Sequence, residues 1–498
     1  MSSEGKLEYQ EKVSDNVVEP YPDSEANVPV YSGSTLHRTM KNRHIAMISI
    51  GGVIGTGLFL GTAGVLATGG PIGLLLGYVV VGTICYAVMV SLGEMISYLP
   101  IPGGHITLAE RFVDPAWSFT LGWNYWYNWV IILPAELSAS AVLIGFWNNS
   151  VNDAAWITIF LVIVIVINML GARAYGEAEF VFASIKVFTI TGLIILGIVL
   201  DLGGGPNHDR IGFRYWKNPG PFAQFGGIAG SKIRFLAWWN VMTQAAFSFI
   251  GTEIVAIAGG VTIIGLLVPY TEPDLNLKTS DAAKSPFVIT IKTTGIKGLP
   301  SVINAALLTS AWSAVSSDLY TSSRALYGLA LNGNAPKVFA RVSSWASLMS
   351  LGAGRVFIWF ANLTAIAGLM TWFGIAVTYI RFHKGMKAQG MDRNALLYKA
   401  PFQPFLAWYA AISCIVICFF SAFAVFINHD WDTATFVTNY LPFILFPIIY
   451  IGAHMWWRSS FIAPEDMDFK SGLAEVEAAS YDKPPPRNWV EKVWGWLM

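Results

Sequence analysis

Three ionisable side chains stand inside long apolar stretches of this chain: Glu136, Lys186 and Glu253. A charge in hydrocarbon is costly, so such residues usually face a polar cavity and serve an ion or substrate path. The second chemical signal is GGVIGTGLF at 51–59, with Gly51, Gly52, Gly55 and Gly57 in the first apolar stretch. Each glycine weakens a helix interior by roughly 1 kcal/mol relative to alanine. A bilayer tolerates the freed backbone groups only where they line protein or a polar cavity. A glycine-broken first span points to a secondary transporter whose substrate sits where helices unwind. The competing reading of the glycines is close helix packing. For Lys186 it is a lysine snorkelling from a helix end, and for Glu136 a hydrogen bond to a neighbouring helix.

The elements that must position these groups are membrane spans. The 498-residue chain is 54% hydrophobic, 12% charged and of zero formal net charge, against about 25% charged residues in soluble domains. That balance leaves no nucleic-acid footprint. Apolar runs long enough to cross a bilayer recur at 44–67, 72–93, 118–146, 155–171, 180–202, 235–258, 299–331, 354–380, 403–427 and 434–457. Ten spans are expected, in a transmembrane domain over 44–458. Residues 1–43 read as a disordered polar tail without a signal peptide, and 459–498 as a second tail. Arg38, Lys41 and Arg43, the basic stretch 381–399 and Arg458 place both tails in the cytosol by the positive-inside rule. Cys85, Cys414 and Cys418 all lie within spans and form no disulfide framework. The seven histidines have no metal-ligand spacing, and no phosphate loop or nucleophile elbow occurs. Neither an enzyme nor a cofactor is expected.

Several strings are more specific: GEM (93–95), PGG (102–104), RFVDPA (111–116), GWNYW (122–126), PAEL (134–137), NMLGARAYGEAEFVFASIKV (168–187), AAFSFIGTE (245–253), KSPFV (284–288), SSRALYGLA (322–330), TYIRF (378–382) and YKAPFQPF (398–405). In this order, from about residue 34 onward, the chain resembles the fungal amino acid permeases of the amino acid–polyamine–organocation superfamily. The resemblance implies an all-α polytopic membrane protein, five spans plus five in inverted repeat and two more. It further implies import of amino acids with protons across the plasma membrane, with ubiquitin ligases as partners of the cytosolic tails.

The resemblance also suggests roles. N–H groups of Ile54, Gly55, Thr56 and Gly57 would meet the substrate carboxylate at the positive end of a half-helix. The sixth span would break at Phe247, Ser248, Gly251 and Thr252, its carbonyls taking the ammonium and Phe247 or Phe249 covering the side chain. Glu253 would anchor that break or bias substrate charge. Lys186 and Glu136 would handle the proton, and Trp372 would gate the site.

Two stretches of the family pattern are missing. After IAG (257–259) the chain passes to GVTIIGLLVPY (260–270), which resembles only the end of a seventh span. After APKVFARVSS (335–344) only ASLMSLGAG (346–354) stands where a ninth span belongs. Each remnant falls short of the roughly twenty residues a span needs. If neither crosses, 299–331 enters upside down and Ser316, Ser317 and Tyr320 are misplaced. If both cross by stretching, the family topology survives. Poor transport is therefore expected, and the alternative function is a non-transporting amino acid sensor or an inactive splice form.

Overall fold

The computed structural model describes residues 55–101, 103–147, 150–224, 230–249, 254–275, 285–340, 355–426 and 431–471. The two expected tails (apart from 459–471), Ile54, Gly251, Thr252, Glu253 and the remnant 346–354 lie outside them. The regular elements among the described residues are all helical. A π-helical turn, Gly57–Gly61, is the first described element, followed by α1 (Thr62–Tyr98), α2 (Gly104–Phe112), α3 (Pro115–Ile144), α4 (Asp153–Met169), α5 (Ala172–Asp201) and α6 (Ser231–Phe249). After these come α7 (Ile254–Leu267), α8 (Pro286–Thr293), α9 (Leu299–Leu331), α10 (Arg355–Ala388), α11 (Phe405–Phe419) and α12 (Thr433–Trp457). Among the described residues, seven helices are long and apolar enough to cross a membrane.

The first two expected spans form one of those seven, Gly57–Tyr98, but Gly70 divides it with φ 72° and ψ 174°. Only glycine enters that region at no steric cost, and a Cβ there would lie 2.5 Å from the Ala223 nitrogen. Pro71 follows, so the chain doubles back. The turn is pinned by Ala223 N–H donating to Gly69 O at 3.2 Å and Ile72 N–H donating to Pro221 O at 2.9 Å. This defines one end of the bundle.

The opposite end is tied by Arg393, whose Nε and Nη2 each donate to the Glu94 carboxylate at 2.7 Å. Ala400 N–H adds a third bond at 2.8 Å. Asp114 caps α3 there, accepting from Trp117 N–H and from the Tyr450 hydroxyl; Asp-Pro is an expected helix start, a cap followed by a proline that needs no N–H partner. Residues 461–471 strap this end. Arg381 donates to Ile462 O and Phe112 O, Gln389 to Met467 O, and Phe469 packs on Tyr98, Phe112 and Phe382.

The same contacts fix the direction of α9. Asn304 near its start donates to Leu143 O at the end of α3. Beyond its last turn, Asn334 O accepts from Trp123 near the start of α3. The two helices are antiparallel, and α9 runs from the Gly70 end to the Arg393 end.

The route to α9 differs from both expected alternatives. Near its start, α6 touches the Gly70 end, where Trp239 donates to Phe420 O beyond α11. It finishes among mid-bundle residues, with Phe249 on Tyr78 and Gly82. Helix α7 then returns: Ile263 and Leu267 pack on Gly197 near the end of α5, Gly265 lies on Pro71, and Trp216 donates to Gly265 O at 2.8 Å. The second half of the sixth expected span and the seventh-span remnant are thus one helix of 14 residues, about 21 Å long at 1.5 Å per residue. It forms a re-entrant hairpin with α6 and does not reach the far end. This corrects the expectation that 299–331 inverts unless both remnants cross.

Apolar side chains face outward on the peripheral helices, among them Phe188, Ile195 and Val199 of α5 and Ile448, Ile451 and Met455 of α12. That surface suits lipid tails.

Candidate functional site

The π-turn holds Gly55, Thr56 and Gly57, where the sequence predicts the first-span break, against α3, α6 and α9. Thr56 N–H donates to both oxygens of Glu136, at 3.1 and 3.3 Å. Both residues are buried, 1% and 2% exposed. A carboxylate is what the unpaired N–H groups and positive dipole end of a helix start attract; here the protein's own glutamate supplies it. The approach depends on the absence of a side chain at Gly55, where a Cβ would stand 2.6 Å from Glu136 Oε1 and 3.7 Å from Ala314 Cβ. Gly57 leaves a comparable gap for Phe247, whose ring would come within 3.1 Å of an added Cβ.

On α6, Phe247 therefore lies beside Gly57. Its other face meets Phe357 of α10 edge-on, with centroids 6.1 Å apart. Ser248 shares a 2.7 Å hydrogen bond with the Tyr78 hydroxyl. Phe249 packs against Tyr78 rather than against the break. Trp372 is buried in the main core of α10, next to Thr371, which accepts from Asn124 at 2.9 Å. The aromatic side chain of α10 that meets Phe247 is Phe357, which sequence reasoning did not single out.

Lys186 is 1% exposed in the middle of α5, which starts at Ala172 rather than at the expected residue 180. Snorkelling is thereby excluded. Its Nζ lies 3.9 Å from Glu179 Oε1, with both side chains buried. Glu179 also accepts from Ser313 of α9 at 2.6 Å. Ser316 and Ser317 of α9 meet α4 and α5: Asn168 donates to Ser316 Oγ at 3.0 Å, and Tyr175 shares a 3.0 Å bond with Ser317 Oγ. Tyr320 stacks on Tyr175 with centroids 4.3 Å apart.

The sequence reading of three charges within spans was too low. Glu179 lies inside α5, and Asp318, 3% exposed, lies inside α9 within electrostatic reach of Glu136, Lys186 and Glu179. Glu179 fell one residue before the apolar run used to delimit the span. A carboxylate inside the apolar stretch 299–331 was the available signal for Asp318. No cluster of three or more His, Cys, Asp or Glu with metal-binding geometry occurs among the described residues.

A model of the family "Amino acid permease" matches residues 44–262 and 259–463. The chain belongs to the amino acid permease family. The two matched pieces meet at the join after IAG (257–259). The permease is 38% identical to the dicarboxylic amino acid permease of Saccharomyces cerevisiae, over 87% of this chain and 79% of that protein. It is 36% identical to the proline-specific permease of Emericella nidulans, covering 92% of this chain and 93% of the relative. The lysine-specific permease of Saccharomyces cerevisiae is 36% identical, over 93% and 83%. The permease is a multi-pass membrane transporter rather than an enzyme.

Proposed function

We propose that this permease imports amino acids across the plasma membrane together with protons, with both termini cytosolic, by alternating access around the first-span break and the end of α6. One observation carries the reading. The half-helix start at Thr56 holds a carboxylate, that of Glu136, at 3.1 Å, so the same N–H group suits a substrate carboxylate once Glu136 withdraws. In this reading Ile54, Gly55, Thr56 and Gly57 bind the carboxylate, and Phe247 covers the side chain. Ser248, Gly251, Thr252 and Glu253 receive the ammonium. The proton is handled by Glu136, Lys186 and their neighbours, and Trp372 gates the path. The inverted five-plus-five repeat of the resembling transporters is part of this proposal, as are ubiquitin-ligase contacts through the tails. The three relatives are named for dicarboxylic amino acids, proline and lysine, so the substrate class here is amino acids without a narrower choice.

A second reading, a sensor that binds without transport, is favoured by the return of α7 toward Pro71, which withdraws the inner half of the sixth span. Uptake of radiolabelled amino acids by cells lacking their own permeases separates the two. Accumulation against a gradient that collapses at high external pH supports proton-coupled import. Substrate-induced thermal stabilisation of the purified chain without any accumulation supports the sensor.

A further inference from the structure

Glu136, Glu179 and Asp318 bring three carboxylates into one buried region whose cation, among the described residues, is Lys186, and their counter-charges are unequally shared. Glu179 has Lys186 at 3.9 Å and the Ser313 hydroxyl at 2.6 Å. Glu136 has the helix-start N–H of Thr56. Among the described residues, Asp318 Oδ2, like Glu179 Oε2, is buried without a hydrogen-bond partner. Its neighbours on α9 are engaged elsewhere, Ser317 with Tyr175 and Ser316 with Asn168. Titratable groups face it from α3 (Glu136) and α5 (Tyr175, Glu179, Lys186), and its own helix adds Tyr320 with Arg324 over the ring at 4.2 Å. One amine cannot neutralise three carboxylates, and an uncompensated buried charge is costly.

We propose that Asp318 carries the proton that moves with the substrate, while Lys186 stays in its pair with Glu179 as a fixed counter-charge. The inference rests on the proton-coupled reading above and names the residue responsible. In the cycle an O–H bond forms at Oδ2 with a proton from water on the side to which the site is open. That bond breaks to water on the opposite side, with no change of oxidation state. Asp318 sits where both events can influence substrate: its neighbour Glu136 holds the substrate-carboxylate position, so a neutral Asp318 lowers the repulsion acting on an incoming anion.

The test uses the full chain in proteoliposomes containing a pH-sensitive dye, driven by a mixture of natural amino acids. Substrate-driven proton uptake is expected in the wild type. In Asp318→Asn it should fall at least about tenfold, while substrate-induced thermal stabilisation persists. Asp318→Glu should restore coupling with a shifted pH profile. Infrared difference spectra on substrate addition should show a carboxylic-acid C=O band that moves in Asp318→Glu and disappears in Asp318→Asn; in the glutamate variant this readout is independent of whether the asparagine variant folds. A wild type that moves substrate without protons overturns the coupled reading and this assignment together. A coupled wild type whose C=O band is unmoved by Asp318→Glu, or whose coupling survives Asp318→Asn, overturns the assignment alone.

Discussion

The N–H of Thr56 and the carboxylate of Glu136 are joined across 80 residues of sequence at 3.1 Å, so the helix start proposed to receive the substrate carboxylate is filled by the protein itself. Space for that contact comes from Gly55. Gly55→Ala should therefore displace Glu136, since its Cβ would lie 2.6 Å from Oε1. Overpacking of a buried contact costs about 1–3 kcal/mol. The expected result is a loss of uptake with the folded protein still recovered, read by transport assay alongside gel filtration. Wild-type uptake in that variant would contradict the placement.

The Glu94–Arg393 pair predicts an asymmetric response. The Glu94 side chain is fully buried and that of Arg393 is 19% exposed. Removing arginine strands a buried carboxylate, whereas removing the carboxylate leaves a guanidinium that reaches water. Breaking a buried pair costs about 3–5 kcal/mol. Arg393→Ala should lower the melting temperature in nanodiscs more than Glu94→Gln, and equal losses would argue against the buried geometry.

At Gly70, the combination of φ 72° and a nitrogen 2.5 Å from any Cβ predicts that Gly70→Val is not recovered as folded protein. Gly61→Ala is the control, because nothing lies within 4 Å of a Cβ there. Its melting temperature should stay close to that of the wild type.

The direction of α9 is open to a labelling test. Asn207→Cys and Lys297→Cys should react with a membrane-impermeant thiol reagent from the same face, and Lys387→Cys from the other. The native cysteines are buried, so background labelling should be low. If Lys297→Cys and Lys387→Cys label together, α9 is inverted.

Much of the helical plan and the neighbourhood of the first-span break were legible in the sequence. Glycines spaced within an apolar run mark a broken span by their backbone cost alone, and Phe247 does meet Gly57. Glu179 and Asp318 escaped for different physical reasons. A hydropathy run stops at the first charge, so the paired Glu179 fell outside a span that truly begins at Ala172. Asp318 stands among serines and threonines in SSDLYTSS (316–323), where one more polar residue alters the mean hydropathy little. The hairpin of α6 and α7 was not legible either, because an apolar run of helical length carries no sign of its direction. Gly197 and Pro71, distant in sequence, provide the surfaces on which α7 lies.

The return of α7 has a consequence for how such a chain is threaded during synthesis. A helix that comes back to the face from which its predecessor set out contributes nothing to the tally of crossings, so α9 is delivered with the polarity it would have after two complete passes. A family stretch missing after residue 259, within the returning arm, shortens the route without reversing whatever follows. The insertion machinery would read the same alternation of faces from either length of chain, and the buried Asp318 on α9 keeps its facing partners on α5.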